Sequence, residues 1–199
     1  MEFVVTIKEA VSKKELVAFM EFPITLYRGN PYYVPDILAS QVADMQKDKN
    51  PAFAFCDAKC FLAYRDGKIV GRIAGILNTK ANEKFGKKYM NFTHIDFIDD
   101  NEVVDALFDA LEGWARSFGC EAVHGPLGFS DMDREGMLVE GFDKLSLFYT
   151  YYNHPYYMVQ MERRGYAKQV DWLEVRLTIP QTPDEGLTRV SNYVKKRMK

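Results

Sequence analysis

Two apolar runs, residues 61–64 and 69–77, stand on either side of Asp66-Gly67. Asp-Gly tolerates the left-handed backbone that a two-residue, primed-type hairpin turn demands. If Arg65 and Lys68 close the turn, Tyr64 lies opposite Ile69 and Leu62 opposite Gly71. Alternation then puts Leu62, Tyr64, Ile69, Gly71 and Ile73 on one face, and Phe61, Ala63, Val70, Arg72 and Ala74 on the other. Both faces are largely apolar, which predicts a hairpin near the middle of a sheet and covered on both sides.

The remaining pattern is read outward from that hairpin. Alternation over residues 3–7 predicts a first strand. Ser12-Lys13-Lys14-Glu15 has capping-box spacing and opens a helix carrying Leu16, Val17, Phe19 and Met20, which Pro23 breaks or kinks. Leu38, Val42 and Met45 form the stripe of a second helix. Residues 78–88 are polar and glycine-punctuated, a solvated loop. Residues 90–98 predict a fourth strand, with Phe92, His94 and Asp96 on one side and Ile95 and Phe97 on the other. Asp99 or Asp100 caps a helix over 102–118 with the stripe Val103, Leu107, Ala110, Leu111, Trp114 and Phe118, stopped by Gly119. A short fifth strand follows at 121–127, and 125–141 is irregular. Residues 145–152 read as extended, and Asn153-His154-Pro155 opens a helix that Gly165 ends. Residues 172–179 alternate as a last strand, 180–186 form a linker, and Leu187, Val190 and Val194 mark a final helix with a basic tail. The expected division is one domain over 1–180, then a linker and helix over 181–199.

Composition narrows the function. With 199 residues, 47% of them hydrophobic, the chain can bury one substantial core. A net charge of -2 gives no electrostatic reason to expect nucleic acid or an anionic membrane as partner. The N-terminal residues lack the basic start and apolar block of a signal peptide, and no apolar run approaches the roughly 18 residues that span a bilayer. The expected location is cytoplasmic. The three cysteines, Cys56, Cys60 and Cys120, are odd in number and read as reduced thiols. No metal is expected, either at Cys56-x3-Cys60 or from His94, His124 and His154.

The segments LAYRDGKIVGRIAGI, DALFDALEGWARSFG and ERRGYAKQVDWLEV occur in the order strand, two helices, three antiparallel strands, helix, strand, helix, strand. That order resembles the GNAT acyltransferases. LYRGNPYYVP, GMLVEGFD and YNHPYY are further similar to the N-terminal half of a bacterial group of long, GNAT-like proteins. The resemblance implies an α+β (α/β) acyl-CoA N-acyltransferase fold, its mostly antiparallel central sheet flanked by helices on both faces. It implies acyl transfer from acetyl-CoA, as co-substrate, to an amine of a small molecule or peptide. The acyl group would lie where the fourth and fifth strands splay, against Ile95, Phe97, Ile98, His124, Gly125 and Asn153. Asp96, near the end of the fourth strand, stands where such enzymes place a carboxylate base, with His94 on the same face. The family's general-acid Tyr is replaced by Met161, and Tyr156 and Tyr157, one turn earlier, are the candidate substitutes, of which Tyr157 is the expected acid.

Two departures keep an alternative open. The glycine-rich turn that grips the CoA diphosphate is replaced by Asp99, Asp100, Asn101 and Glu102, whose carboxylates suit the helix dipole and repel a diphosphate. That favours a catalytically degenerate domain that binds a ligand or packs on a partner. Only one strand follows the last core helix where the family has two, so a dimer partner or a following domain is expected to complete the sheet.

Overall fold

The Asp66-Gly67 turn forms with both residues at positive φ, 53° and 73°. It joins β2 (Cys56–Arg65) to β3 (Lys68–Asn78) at the centre of the sheet. The structure is a computed structural model and describes residues 4–179, 181–182 and 184–198. β1 (Thr6–Glu9) and β4 (Tyr89–Phe97) pair antiparallel on either side of the hairpin. β5 (Ala122–His124) runs parallel to the first residues of β4, completing the order β1-β2-β3-β4-β5. β1 lies further along the chain than 3–7, because Thr6 pairs with Tyr64 and Glu9 with Phe61; Phe3 lies outside the described residues.

The faces differ from the simple alternation. Tyr64 pairs with Ile69 as expected, but Ala63 pairs with Gly71 and Leu62 with Arg72, so Val70 is an extra residue on β3. Side chains alternate with period two, so one inserted residue turns every later β3 side chain to the other face. A second bulge lies on β4. Arg72 pairs with Asp96 and Ala74 with Thr93, and His94 at φ 46° absorbs the extra residue. Phe92 consequently joins Ile95 and Phe97 in one core layer, opposite the face of His94 and Asp96 on which it was expected.

Helices cover both faces. On one side lie α1 (Lys13–Leu26) and α2 (Leu38–Asp44), which pack Leu16, Phe19, Met20, Val42 and Met45 on Leu62 and Ala74. The Ser12 capping box forms as expected, and Pro23 is carried inside α1 rather than ending it. After β3, α3 (Thr79–Phe85) replaces the expected loop, with Asn78 capping its start and Gly86, at φ 60°, its end. α4 (Asn101–Ser117) covers the opposite face, and Val103, Val104, Leu107, Phe108 and Leu111 are fully buried. Each large side chain buried this way contributes roughly 1.5–3 kcal/mol before entropy is subtracted. The close approach of α4 depends on Gly71 and Gly75: a Cβ on Gly75 would stand 2.6 Å from Leu111 Cδ1. α5 (Tyr156–Arg163) follows an irregular stretch in which only Glu135 and Thr150 bridge, in place of the extended segment expected over 145–152. This is an α+β domain with the acyl-CoA N-acyltransferase arrangement: a mostly antiparallel central sheet between two helical layers.

The chain divides into two compact units after Gln169. In the second unit, residues 172–179 are not the expected strand. They belong to no ladder, and Leu173, Leu177 and Ile179 are 83–89% exposed. An alternating segment becomes a strand only where a neighbour takes its backbone hydrogen bonds. α6 (Glu185–Arg197), capped by Asp184, has no buried residue. No helix among the described residues is long and apolar enough to cross a membrane.

Candidate active site

A cation in the middle of an apolar strand needs a buried counter-charge. Arg72 is 4% exposed in β3, and the register sets it directly opposite Asp96, 6% exposed. Its Nε and Nη2 both reach Asp96 Oδ2, at 2.8 and 2.7 Å. Its Nη1 donates to the Phe19 carbonyl at 2.9 Å. That carbonyl is open because the residue four positions on is Pro23, which has no N–H to return. The proline expected to break α1 thus supplies an acceptor for the buried guanidinium.

The other carboxylate oxygen is equally engaged. Asp96 Oδ1 accepts from the Tyr27 hydroxyl at 2.8 Å and from that of Tyr157 at 3.3 Å, and the two phenol oxygens are 2.9 Å apart. Tyr157 also accepts from Phe97 N–H at 3.1 Å, while Tyr156 donates to Phe97 C=O at 2.6 Å. Burial pushes Asp96 upward against the pull of Arg72 and the hydroxyls. Burial opposes the charge of Arg72, yet Asp96 beside it leaves the guanidinium pKa raised. The Tyr27 and Tyr157 phenols are held well above their ordinary value, first by burial and then by Asp96. The guanidinium and the two phenols surround the carboxylate, so Asp96 and Tyr157, the expected base and acid, lie in one buried network.

His94 is different. Its left-handed backbone, on a non-glycine residue, costs of order 1 kcal/mol or more. The ring packs between Phe19 and Tyr151, with centroids 6.1 and 6.0 Å away. The residue is 7% exposed, and its Nδ1 is buried without a hydrogen-bond partner among the described residues. Burial, then the charges of Arg72 and Arg134, hold its pKa well below 6.5, so the imidazole is neutral at pH 7. The ring lines two clefts. One lies beside Arg72, Tyr33 and Met20. The other lies between α2 and residues 128–134 and reaches Tyr151.

The remaining expected residues are spread out. Ile95 is a core side chain, Phe97 has both backbone groups bonded to α5 hydroxyls, and Ile98 N–H donates to Val70 C=O. His124 pairs with Asn91 near the start of β4, away from Asp96. Gly125 packs so closely that an added Cβ would meet the Phe92 carbonyl. Asn153 tethers the preceding loop, accepting from Leu138 N–H at 2.7 Å and donating to Leu138 C=O at 3.1 Å. The structure therefore gathers Asp96, His94, Tyr157 and Phe97, and leaves His124 and Asn153 apart. Among the described residues no three His, Cys, Asp or Glu side chains are placed to hold a metal. Cys56 and Cys60 are buried free thiols, pushed up by burial to about 11 and about 12.

At the start of α4, Asp100 caps Val103 N–H at 3.2 Å and receives both Nη atoms of Arg65 at 2.7 and 3.0 Å. Arg65 Nη2 also reaches Glu102 at 2.9 Å, and Gln160 Nε2 donates to Asp99 and Asn101. These residues do not fit a CoA diphosphate: the helix N-terminus is already capped and charged by the protein itself.

Sequence reasoning missed Arg72 and Tyr27. Arg72 was legible as a lone charge in the run IVGRIAGIL; Tyr27 carried no local signal.

No protein-family model matches the chain. It is 31% identical over 195 residues to Protein YghO of Escherichia coli (strain K12), covering 96% of this chain and 49% of that protein. It is 30% identical over 158 residues to the Bacterial ceramide synthase of Caulobacter vibrioides, covering 79% of this chain and 41% of that protein. The chain thus spans about half the length or less of these curated relatives. Among solved structures, it is similar to an aminoglycoside acetyltransferase from an uncultured soil metagenomic sample, with TM-score 0.49, 14% identity, and 87% and 97% of the two chains covered. It is also similar to the ribosomal-protein-alanine N-acetyltransferase of Brucella melitensis, with TM-score 0.47, 14% identity, and coverage of 88% and 99%. At those scores neither bears on the chemistry of the site.

Proposed function

We propose that this domain transfers an acyl group from a thioester donor, acetyl-CoA in the simplest case, to the amine of a small molecule or peptide, with His94 as proton acceptor. The observation that carries this reading is the buried, unpartnered Nδ1 of an imidazole on the walls of two clefts. An amine attacking a thioester carbonyl forms a C–N bond, breaks the C–S bond and loses one proton, which the departing thiolate finally takes. A histidine that is neutral at pH 7 can hold that proton between the two. Asp96 then acts as a positioning residue: its pair with Arg72 fixes β4 next to the bulge. The name of the Caulobacter relative agrees with amide formation, since a ceramide is an N-acylated long-chain amino alcohol. Long-chain amines therefore belong among the acceptors to test. We place the reaction in the cytoplasm.

A second reading has its own support. The occupied N-terminus of α4 favours a domain that binds a ligand or a partner without catalysis.

The test incubates purified protein with acetyl-CoA or palmitoyl-CoA and either ethanolamine or sphinganine, and detects the amide by mass spectrometry. Amide formation that falls about 100-fold or more in His94→Ala supports the transferase. No amide from any pair, together with an unchanged melting midpoint at millimolar CoA thioester, leaves the binding-module reading in its place.

A further inference from the structure

The two clefts are neighbours. His94 and Gln41 line both, while Asp36 lines the first and Arg134 the second. Asp36 stands just before α2, and Arg134 in the irregular stretch after β5. They form a two-pronged ion pair: Arg134 Nη2 is 2.8 Å from Asp36 Oδ1, and Nη1 donates to Oδ2 at 3.3 Å. The pair is close to rings on both sides. Burial raises the phenols of Tyr33, on the first cleft, and Tyr151, on the second, to about 12, and the charges of Asp36 and Arg134 act on both. The charge of Arg134 also acts on His94. The pair therefore stands where the clefts meet, beside the buried imidazole.

Its construction suits opening and closing. The two side chains are 25% and 28% exposed, so water and salt reach this pair, unlike that of Arg72 and Asp96. On the Arg134 side the chain is held together without Asp36. Arg134 Nε donates to Phe148 C=O, and Glu135 N–H to Tyr149 C=O, both at 2.9 Å. Residues 134–149 thus keep their own bonds when the charged link to Asp36 breaks.

We propose that the Asp36–Arg134 pair is an access latch: closed, it divides the clefts and covers His94; open, it joins them into one groove past His94. Ile24 and Leu38 line one end of that groove, and Met45 and Phe129 the other, which suits an elongated, largely apolar reactant. The role of the latch in turnover rests on the transferase reading, but its opening is measured without any thioester.

The chain has three histidines, and His124 and His154 are half-buried, so each molecule carries its own control. Diethyl pyrocarbonate modifies accessible neutral imidazoles, and peptide mass spectrometry gives a rate for each. Asp36→Asn should raise the His94 rate about 5-fold and leave His124 and His154 unchanged, while Asp36→Glu stays near wild type. Raising sodium chloride should speed His94 modification in wild type and not in Asp36→Asn. The salt series needs no variant, so it stands even if Asp36→Asn fails to fold. A His94 rate indifferent to salt, or unchanged in folded Asp36→Asn, overturns the latch. So does a rise shared by all three histidines, which reports general unfolding.

The two readings fail separately. If modification behaves as described and no amide ever forms, the transferase falls and the latch remains. If amide forms, Asp36→Asn should lower the apparent KM by the factor by which it speeds His94 modification, because more of the protein is open to substrate. Amide formation with KM and modification both unchanged removes the latch and leaves the transferase.

Discussion

Replacing Asp96 by Asn removes a charge and little volume, so it isolates what the buried ion pair contributes. The side chains of Arg72 and Asp96 are 5% and 8% exposed, so solvent screens them little. The substitution weakens the two short contacts to Oδ2, at 2.8 and 2.7 Å, and leaves the guanidinium with the Phe19 carbonyl as its main acceptor. The Tyr27 hydroxyl still finds an oxygen on the amide. Stranding one buried charge in this way costs about 3–5 kcal/mol. Against a domain stability of about 5–15 kcal/mol, that is a large fraction. At roughly 2–4 °C per kcal/mol for a chain of this size, the melting midpoint should fall by about 6–20 °C. Urea denaturation read by circular dichroism gives the free energy directly, with m unchanged if only stability has moved. The penalty comes from an orphaned charge, so Arg72→Met combined with Asp96→Asn should be less destabilised than the two single changes summed, by about 2 kcal/mol or more. A single Asp96→Asn within 1 kcal/mol of wild type, or strict additivity in the double variant, would refute the reasoning.

Two further predictions use other parts of the molecule. His94 is neutral in the fold and has a depressed pKa, so above pH 6.5 its protonation is the same folded and unfolded. As pH falls below 6.5 the unfolded chain binds a proton that the folded chain refuses, and stability is lost toward the folded pKa by up to about 1.4 kcal/mol per pH unit. Half-buried His154 shifts in the same direction, so the measurement is the pH dependence of urea midpoints for wild type against His94→Gln, which should be flatter between pH 6.5 and 5. The glycines give a contrast of sign. Gly75→Ala drives a methyl to 2.6 Å from Leu111 Cδ1 and 2.8 Å from Trp114 Cζ3 and should cost about 1–3 kcal/mol. Gly113→Ala, in mid-α4 with nothing within 4 Å of the new Cβ, should stabilise by about 0.5–1 kcal/mol in the same thermal melts.

What the sequence made legible is what local chemistry decides. The Asp-Gly turn, the Ser12 capping box and the amphipathic stripe of α4 depend on residues a few positions apart, and all three form. α3 also had its signals, the caps Asn78 and Gly86, but the polar run between them reads equally as loop. The strand faces needed more. Val70 and His94 become bulges only when neighbouring strands impose their register, and nothing in either residue announces it. The alternation over 172–179 was genuine, yet alternation marks a capacity to pair and not a partner. At the site, Asp96, His94 and Tyr157 were found by position in a family resemblance. Their present arrangement was not, because it turns on Tyr27, which caps the C-terminus of α1, and on a proline that frees the Phe19 carbonyl.

The two bulges also govern how this domain could be recombined with its relatives. Val70 sits before Arg72 on β3, and His94 sits before Asp96 on β4, so each charged residue takes its facing from the irregularity just upstream of it. A chimera that imports a straight β3 one residue shorter would rotate Arg72 toward Val103 and Leu107 of α4 while Asp96 stayed on the α1 side. A crossover that brought in only a straight β4 would do the reverse. Viable exchanges are therefore those in which residues 70–96 travel as one block, and gaps placed at Val70 or His94 when aligning relatives mark a change of facing rather than a tolerated deletion.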